Sequence, residues 1–203
     1  MKHFLLFVLL VSIQPAFGQQ PAKAWDAATL AKANTAKDEK YLTKQEKEVI
    51  LYLNLARLNP KLFGETYVKR YLDSTKDNNS YTKSLLKALS ITKPMGVLVP
   101  NKNLWMFTKE HAIRSGKEGT IGHGNYKERL KKTEFINLYT AENCDYGNKR
   151  PIDIVMSLLI DEDIKDTGHR NNILNPIYKQ VGTSIQPHKS YGWNCVMDFA
   201  SGM

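Results

Sequence analysis

The last part of the chain alternates. Val181, Thr183 and Ile185, and then Tyr191, Trp193, Cys195, Met197 and Phe199, put every second side chain on one face, which is the period of a half-buried strand. Turn-forming residues over 187–192 separate the two runs, so they close as a hairpin. The chain before them reads mostly as helix, and no strand-helix-strand unit repeats along it. That order excludes a doubly wound parallel sheet and points to an α+β architecture.

The helical signals upstream are specific. Thr43-Lys44-Gln45-Glu46 has the form of a capping box, and Val49, Ile50, Leu53 and Ala56 after it share one helical face. Asn59-Pro60 interrupts that helix and opens a second one carrying Leu62, Phe63, Tyr67, Val68 and Tyr71, because proline suits a first turn. A short amphipathic helix follows around Leu85, Leu86 and Leu89. Asn101 or Asn103 caps a longer one through Leu104, Phe107, His111 and Arg114, ended by Gly116 and Gly119. A strand is expected over residues 137–146, and Pro151 then opens a helix that turns Ile152, Val155, Met156, Leu159 and Ile160 inward. Residues 168–175 make one or two helical turns and stop before Pro176.

With 203 residues the chain suits one domain with a sizeable core. Residues 1–18 have the organisation of a secretory signal, with basic Lys2, an apolar run from Phe4 to Ile13, and small Ala16 and Gly18 before a cut at Gln19. The apolar run is too short to span a bilayer, and no later segment is apolar enough to do so. Residues 19–42 are rich in Ala, Lys and Gln and read as a flexible leader, which leaves residues 43–203 as the domain. The expected location is extracellular or periplasmic.

The net charge is +9, and Lys2 is the only charged residue within the signal, so the exported chain stays strongly basic. Such a field favours an anionic cell-envelope surface as partner. The lysines are spread along the chain without the interleaved aromatics of a nucleic-acid groove, and nucleic acid is excluded as a partner. Two cysteines, Cys144 and Cys195, are too few for a CxxC redox centre or a cysteine-rich zinc site. Export permits a disulfide between them, and two buried free thiols are the alternative.

Outside the signal, the imidazoles are His111, His123, His169 and His188. His123 and His169 each follow a glycine in a turn-like setting that leaves the ring reachable. His111 shares a face with Leu104 and Phe107 and reads as a core histidine with an internal partner. His188 falls in the hairpin turn and is expected to be exposed. The acids that stand out are Glu142, inside a strand, and Asp161-Glu162-Asp163, after an apolar helix. Two imidazoles and two carboxylates suit a divalent cation; the same set suits a metal-free hydrogen-bond network that rigidifies a cleft. HExxH, GxSxG, P-loop and GxGxxG motifs are absent.

The run Gly168-His169-Arg170-Asn171-Asn172-Ile173-Leu174-Asn175-Pro176, followed by Ile177-Tyr178-Lys179-Gln180-Val181-Gly182, resembles the GHRxNILNPxYxxVG segment of bacterial members of the CAP superfamily, the cysteine-rich secretory, antigen 5 and PR-1-like proteins. Ala141-Glu142-Asn143 stands where the family has GEN, His123 where its first cleft histidine falls, and residues 196–200 resemble its closing strand. The resemblance covers about residues 45–200 in order. It implies an α-β-α sandwich around a central antiparallel sheet, and a cleft lined by two histidines and two acids. Carried onto this sequence, the set is His123, Glu142, His169 and one acid of the 161–163 cluster, with Glu162 the first choice and Asp161 next. The family implication is a secreted binding module whose His/acid cleft takes Zn²⁺ or Mg²⁺, a small or lipid ligand, or both. The competing reading is a metal-assisted hydrolase acting on peptide or envelope polymer, with Glu142 or Glu162 as general base.

Overall fold

The computed structural model describes residues 24–202. Helix α1 (Ala27–Ala33) is capped by Asp26, whose carboxylate accepts from the Thr29 amide. Helix α2 (Lys44–Leu58) begins on the expected capping box: Thr43 Oγ1 accepts from the Glu46 amide at 3.2 Å and Glu46 Oε2 from the Thr43 amide at 2.8 Å. Asn59 caps α3 (Pro60–Phe63), and the chain continues through a π-helical turn, Gly64–Val68, into α4 (Lys69–Thr75). Helix α5 (Ser80–Ile91) carries buried Leu85 and Leu89. Then come β1 (Val99–Pro100), α6 (Lys102–Glu118), α7 (Tyr126–Leu130), a 3-10 turn at Glu134–Asn137, β2 (Thr140–Tyr146), α8 (Pro151–Ile160), α9 (Gly168–Ile173), β3 (Tyr178–His188) and β4 (Gly192–Ser201).

The four strands form one sheet in the order β1-β3-β4-β2. The hairpin β3-β4 and the pair β2-β4 are antiparallel. The short β1 pairs with β3 in parallel, so the sheet is mixed rather than wholly antiparallel. Strand alternation gives its two faces different characters. Val181, Phe199, Met197 and Cys195 join the large apolar core with residues of α2 and α8 such as Leu53, Ile154 and Leu159. On the other face, Asp198 accepts from Thr108 of α6, and Asn194 donates to the Ala112 carbonyl of α6. Two glycines let α6 lie close to that face. A Cβ on Gly182 would sit 2.6 Å from Leu104 backbone and Thr108 Oγ1, and one on Gly116 would collide with the Pro187 carbonyl.

Residues 24–42 are not a loose leader. Trp25, Ala33, Ala36 and Leu42 are buried, and Asn54 of α2 donates to the Ala33 carbonyl and Thr35 Oγ1. One tryptophan, small alanines and a buried amide anchor supply the ordering that a count of large apolar residues missed. The expected signal, residues 1–18, and residues 19–23 of the leader lie outside the described residues. Among the described residues no helix is long and apolar enough to cross a membrane.

Cys144 and Cys195 are both free and buried. Their strands are neighbours, but Cys144 pairs across with Val196, and Cys195 with Asp145. Directly paired residues share a face, so the two thiols point to opposite sides of the sheet, and of the two sequence alternatives the free-thiol one holds.

A buried arginine ties the layers together. Arg57 of α2 is fully buried and donates to four carbonyls, those of Gly96, Ile173, Asn175 and Tyr178, at 2.8–2.9 Å. Burial pulls its guanidinium down to about 10.

Candidate functional site at the edge strand

Strand β2 is an edge of the sheet, and its consecutive residues Glu142 and Asn143 point to opposite faces. Each holds one of the two histidines, His123 and His169, in place. On the α6 side, His123 projects from a loop whose flanking Gly122 and Gly124 both take positive φ, 85° and 53°, which glycine adopts without a Cβ penalty. Its Nδ1 lies 3.1 Å from Glu142 Oε1. The Glu142 side chain is only 1 % exposed, and a buried carboxylate requires compensation. Arg129 of α7 provides it: Nη2 donates to Glu142 Oε2 at 2.6 Å and to the His123 carbonyl at 3.0 Å.

Three further groups crowd this pair. His111 of α6 is buried and its Nε2 donates to the Gly122 carbonyl at 3.1 Å, with Glu142 Oε1 3.9 Å away. Cys144 Sγ lies 3.9 Å from His123 Nδ1, and its thiol donates to the same carbonyl at 3.7 Å. Asp198, directly across from Glu142 in the ladder, is fully buried. Donor atoms of His111, Glu142 and Cys144 all fall within 4.8 Å of one another.

The environments separate these groups electrically. The hydrogen bond to Glu142 raises the His123 pKa above the usual imidazole value of 6.5, whereas burial lowers that of His111. Burial and the neighbouring Glu142 push the Asp198 carboxyl well above its ordinary value. Burial also drives the Cys144 thiol up.

The second pair is built locally. Helix α8 ends at Ile160, and Asp161 takes the left-handed conformation at φ 58°, which Asp and Asn tolerate better than most residues. That turn sends its carboxylate toward α9. Oδ1 lies 2.7 Å from His169 Nδ1, and Oδ2 accepts the His169 and Arg170 amides at 2.9 and 3.2 Å. Arg170 closes the same helix end by donating to the Leu159 and Ile160 carbonyls at 2.6 and 2.7 Å, which satisfies groups that a helix terminus leaves open. Asn143 Nδ2 donates to the His169 carbonyl at 3.0 Å, and Asn172 donates to Asn143 Oδ1. The histidine, arginine and asparagine of the 168–176 run therefore dock α9 onto both α8 and β2.

The structure brings His123 to Glu142 and His169 to Asp161. Glu162, the expected fourth member, does not join them: it is exposed and accepts from Asn79 Nδ2 at 3.0 Å. The reason is the backbone at Asp161, which points the first residue past the helix inward and leaves the next one on the surface. His188 is buried rather than exposed, with Nε2 on the Thr120 carbonyl and Nδ1 accepting the Ser190 and Tyr191 amides. Sequence reasoning missed Arg129 and Asp198. The requirement that a strand carboxylate be compensated was the signal for a cation near Glu142, although nothing in the spacing named which one.

Beside the second pair a hollow of about 480 Å³ is lined by Tyr71, Asp77, Asp145, Asp161 and His169 among others. Asp145 is buried there, and burial pushes its carboxyl up to about 6.

A family model described as CAP, the cysteine-rich secretory protein family, matches residues 92–199. The match spans more than half of the chain and contains His123, Glu142, Asp161 and His169; the chain belongs to this family. Among solved structures it is similar to an outer surface protein from Borrelia burgdorferi, at 15 % identity and a TM-score of 0.43, covering 73 % of this chain and 96 % of that one. No curated protein matches.

Proposed function

We propose that this CAP protein is an exported binding module in which His123 and His169 share one divalent cation, Zn²⁺ or Mg²⁺. The observation that carries this reading is that each histidine commits Nδ1 to a buried carboxylate, Glu142 or Asp161. A carboxylate on Nδ1 fixes tautomer and ring orientation and leaves Nε2 as the ligating atom, the arrangement that supports histidine ligands at metal sites. Both residues are also tied to consecutive residues of β2, the His123 ring to the Glu142 carboxylate and the His169 main-chain carbonyl to the Asn143 amide. In this reading the two acids orient the imidazoles, and the cation would act as an electrophilic anchor for an anionic ligand.

The donor chemistry fits, since imidazole nitrogen suits Zn²⁺ better than the harder Mg²⁺. A second location has its own support in the close approach of His111, Glu142 and Cys144. Occupancy there would require breaking the His111–Gly122 hydrogen bond and deprotonating a thiol that burial holds protonated. Binding is favoured over hydrolysis because Glu142 already accepts from Arg129 and lies against His123, which suits positioning better than proton abstraction. The basic surface of the exported chain favours an anionic envelope as its setting.

Calorimetric titration with Zn²⁺ tests the reading. Wild type and a His111→Gln/Cys144→Ser variant should bind alike, and His123→Ala and His169→Ala should each lose at least about tenfold in affinity. Binding that survives both single alanine variants and disappears in the double variant would move the site to His111 and Cys144.

A further inference from the structure

The two sides of the sheet are finished differently. Where β3 runs on beyond the short β1, Glu46 accepts the Ile185 amide at 3.0 Å, and Pro187 has no amide to offer. On the β2 side the main chain is open. At the ends of the β2-β4 ladder the Gly147 amide donates to the Trp193 carbonyl and the Ser201 amide to the Tyr139 carbonyl, both at 2.9 Å. Antiparallel pairs alternate between bonded and non-bonded, so the odd-numbered residues of β2 bond to β4, and Thr140, Glu142, Cys144 and Tyr146 turn their amides and carbonyls outward. Among the described residues none of these outward groups has a main-chain partner. Glu142 is 6 % exposed as a residue and 1 % in its side chain, so what solvent reaches there is main chain. The strand also lacks the lysine, proline and bulge that commonly close an edge.

The hollow beside His169 begins at this edge, since Cys144, Asp145 and Tyr146 line it together with Asp77, Asp161 and Glu162. Its described lining holds four acids and no lysine or arginine. Among the described residues those acids meet asparagine amides and the His169 ring, not a lysine or arginine. Asp145 and Asp161 stand on the α8 side of the sheet. Every second residue of a strand added to β2 would face that same side, level with Asn143 and Asp145.

We propose that the open edge of β2 receives an extended peptide segment as an added strand, with lysine or arginine side chains of that segment in the acidic hollow. Main-chain pairing supplies the affinity and the hollow the choice of side chain. A second copy's β2 fits less well, because its own Glu142 and Asp145 would meet the same acids. The pairing uses main-chain groups of β2 and neither Nε2 of His123 nor that of His169, and so goes beyond the cation reading.

An acetylated, amidated octapeptide alternating threonine with lysine is the probe, with a threonine-glutamate counterpart as control, and chelator-treated protein keeps the test independent of any cation. On binding the lysine peptide, the Glu142 and Cys144 amides should gain at least about tenfold protection from hydrogen exchange, while those of Asn143 and Asp145, already bonded to β4, stay unchanged. N-methylation of one alternate set of peptide amides should abolish binding and methylation of the other set should spare it, because a strand offers only every second residue to its neighbour. The glutamate peptide on wild type, and the lysine peptide on Glu162→Lys, altered at an exposed position, should each bind about tenfold or more weaker. No gain in protection, equal binding of the two peptides, the same effect from both methylation sets, or protection that rises with protein concentration in the absence of peptide would overturn the proposal and leave the zinc result untouched.

Discussion

The two histidine-carboxylate pairs have the same chemistry and opposite construction. Asp161 reaches His169 across eight residues and gains two backbone amides on the way, so its pair is a local property of the α8–α9 turn. Glu142 reaches His123 across nineteen residues and relies on Arg129, a side chain from a third element, to balance its charge. One pair is held by backbone geometry and the other by a compensating charge. A turn can therefore orient an imidazole from local sequence alone, whereas a strand carboxylate does so only once the tertiary structure has delivered a cation.

The largest effect that distinguishes them is expected from Arg129→Met. Leaving the Glu142 charge buried without its partner should cost about 3–5 kcal/mol in chemical denaturation, much of it recovered by adding Glu142→Gln. Asp161→Ala should cost about 3 kcal/mol by orphaning two amides and an imidazole and by forcing a left-handed backbone on alanine. Asp161→Asn keeps both the conformation and an acceptor and should cost about 1 kcal/mol. Equal losses for Arg129→Met with and without Glu142→Gln would show that charge compensation is not what holds the first pair.

Asp145 sharpens the contrast, because it is a buried carboxylate three residues along β2 from Glu142 that, among the described residues, accepts from the Asn148 amide and forms no ion pair with an arginine or lysine. Its carboxyl is pushed from 3.8 to about 6. A carboxyl whose pKa is raised on folding opposes folding once it ionises, so its penalty is absent below about pH 4 and grows as pH rises through about 6. Asp145→Asn should therefore stabilise the protein by about 1–2 kcal/mol at pH 7 and by little at pH 4. A constant gain across that range would contradict the burial account.

Smaller, and specific to the first pair, is the titration of the imidazoles. His123 is raised by Glu142 and His111 lowered by burial, so NMR should find His123 titrating above 6.5 and His111 below it. His123 contributes stability that is fully present below 6.5 and is lost as pH rises through its raised value. His111 contributes above 6.5 and loses its contribution as pH falls through its lowered value. Glu142→Gln should bring His123 down toward 6.5; an unmoved His123 would remove Glu142 as the cause.

What the sequence showed follows the same division between local and tertiary causes. The capping box at Thr43 and Glu46, the cap of α6 and the β3-β4 hairpin were legible because each rests on local periodicity or a local hydrogen bond. The ordered 168–176 run placed His169 for the same reason. Glu162 was preferred over Asp161 because composition cannot show which residue past a helix end turns left-handed. Arg129 and Asp198 were invisible because they meet Glu142 only through α7 packing and the β2-β4 register. The parallel pairing of β1 was hidden in a strand of two residues, one of them Pro100, and Trp25 shows how one aromatic anchor orders a segment whose average composition argues against order.

The central claim is that two carboxylate-oriented imidazoles act on one cation through Nε2, and ring nitrogen chemical shifts followed during zinc titration test it most directly. Before metal, both His123 and His169 should carry their proton on Nδ1. On titration, Nε2 of both rings should move together and saturate at one equivalent, with His111 and the Cys144 Cβ unchanged. Saturation with shifts at His111 and Cys144, and with the His169 ring unmoved, would contradict it.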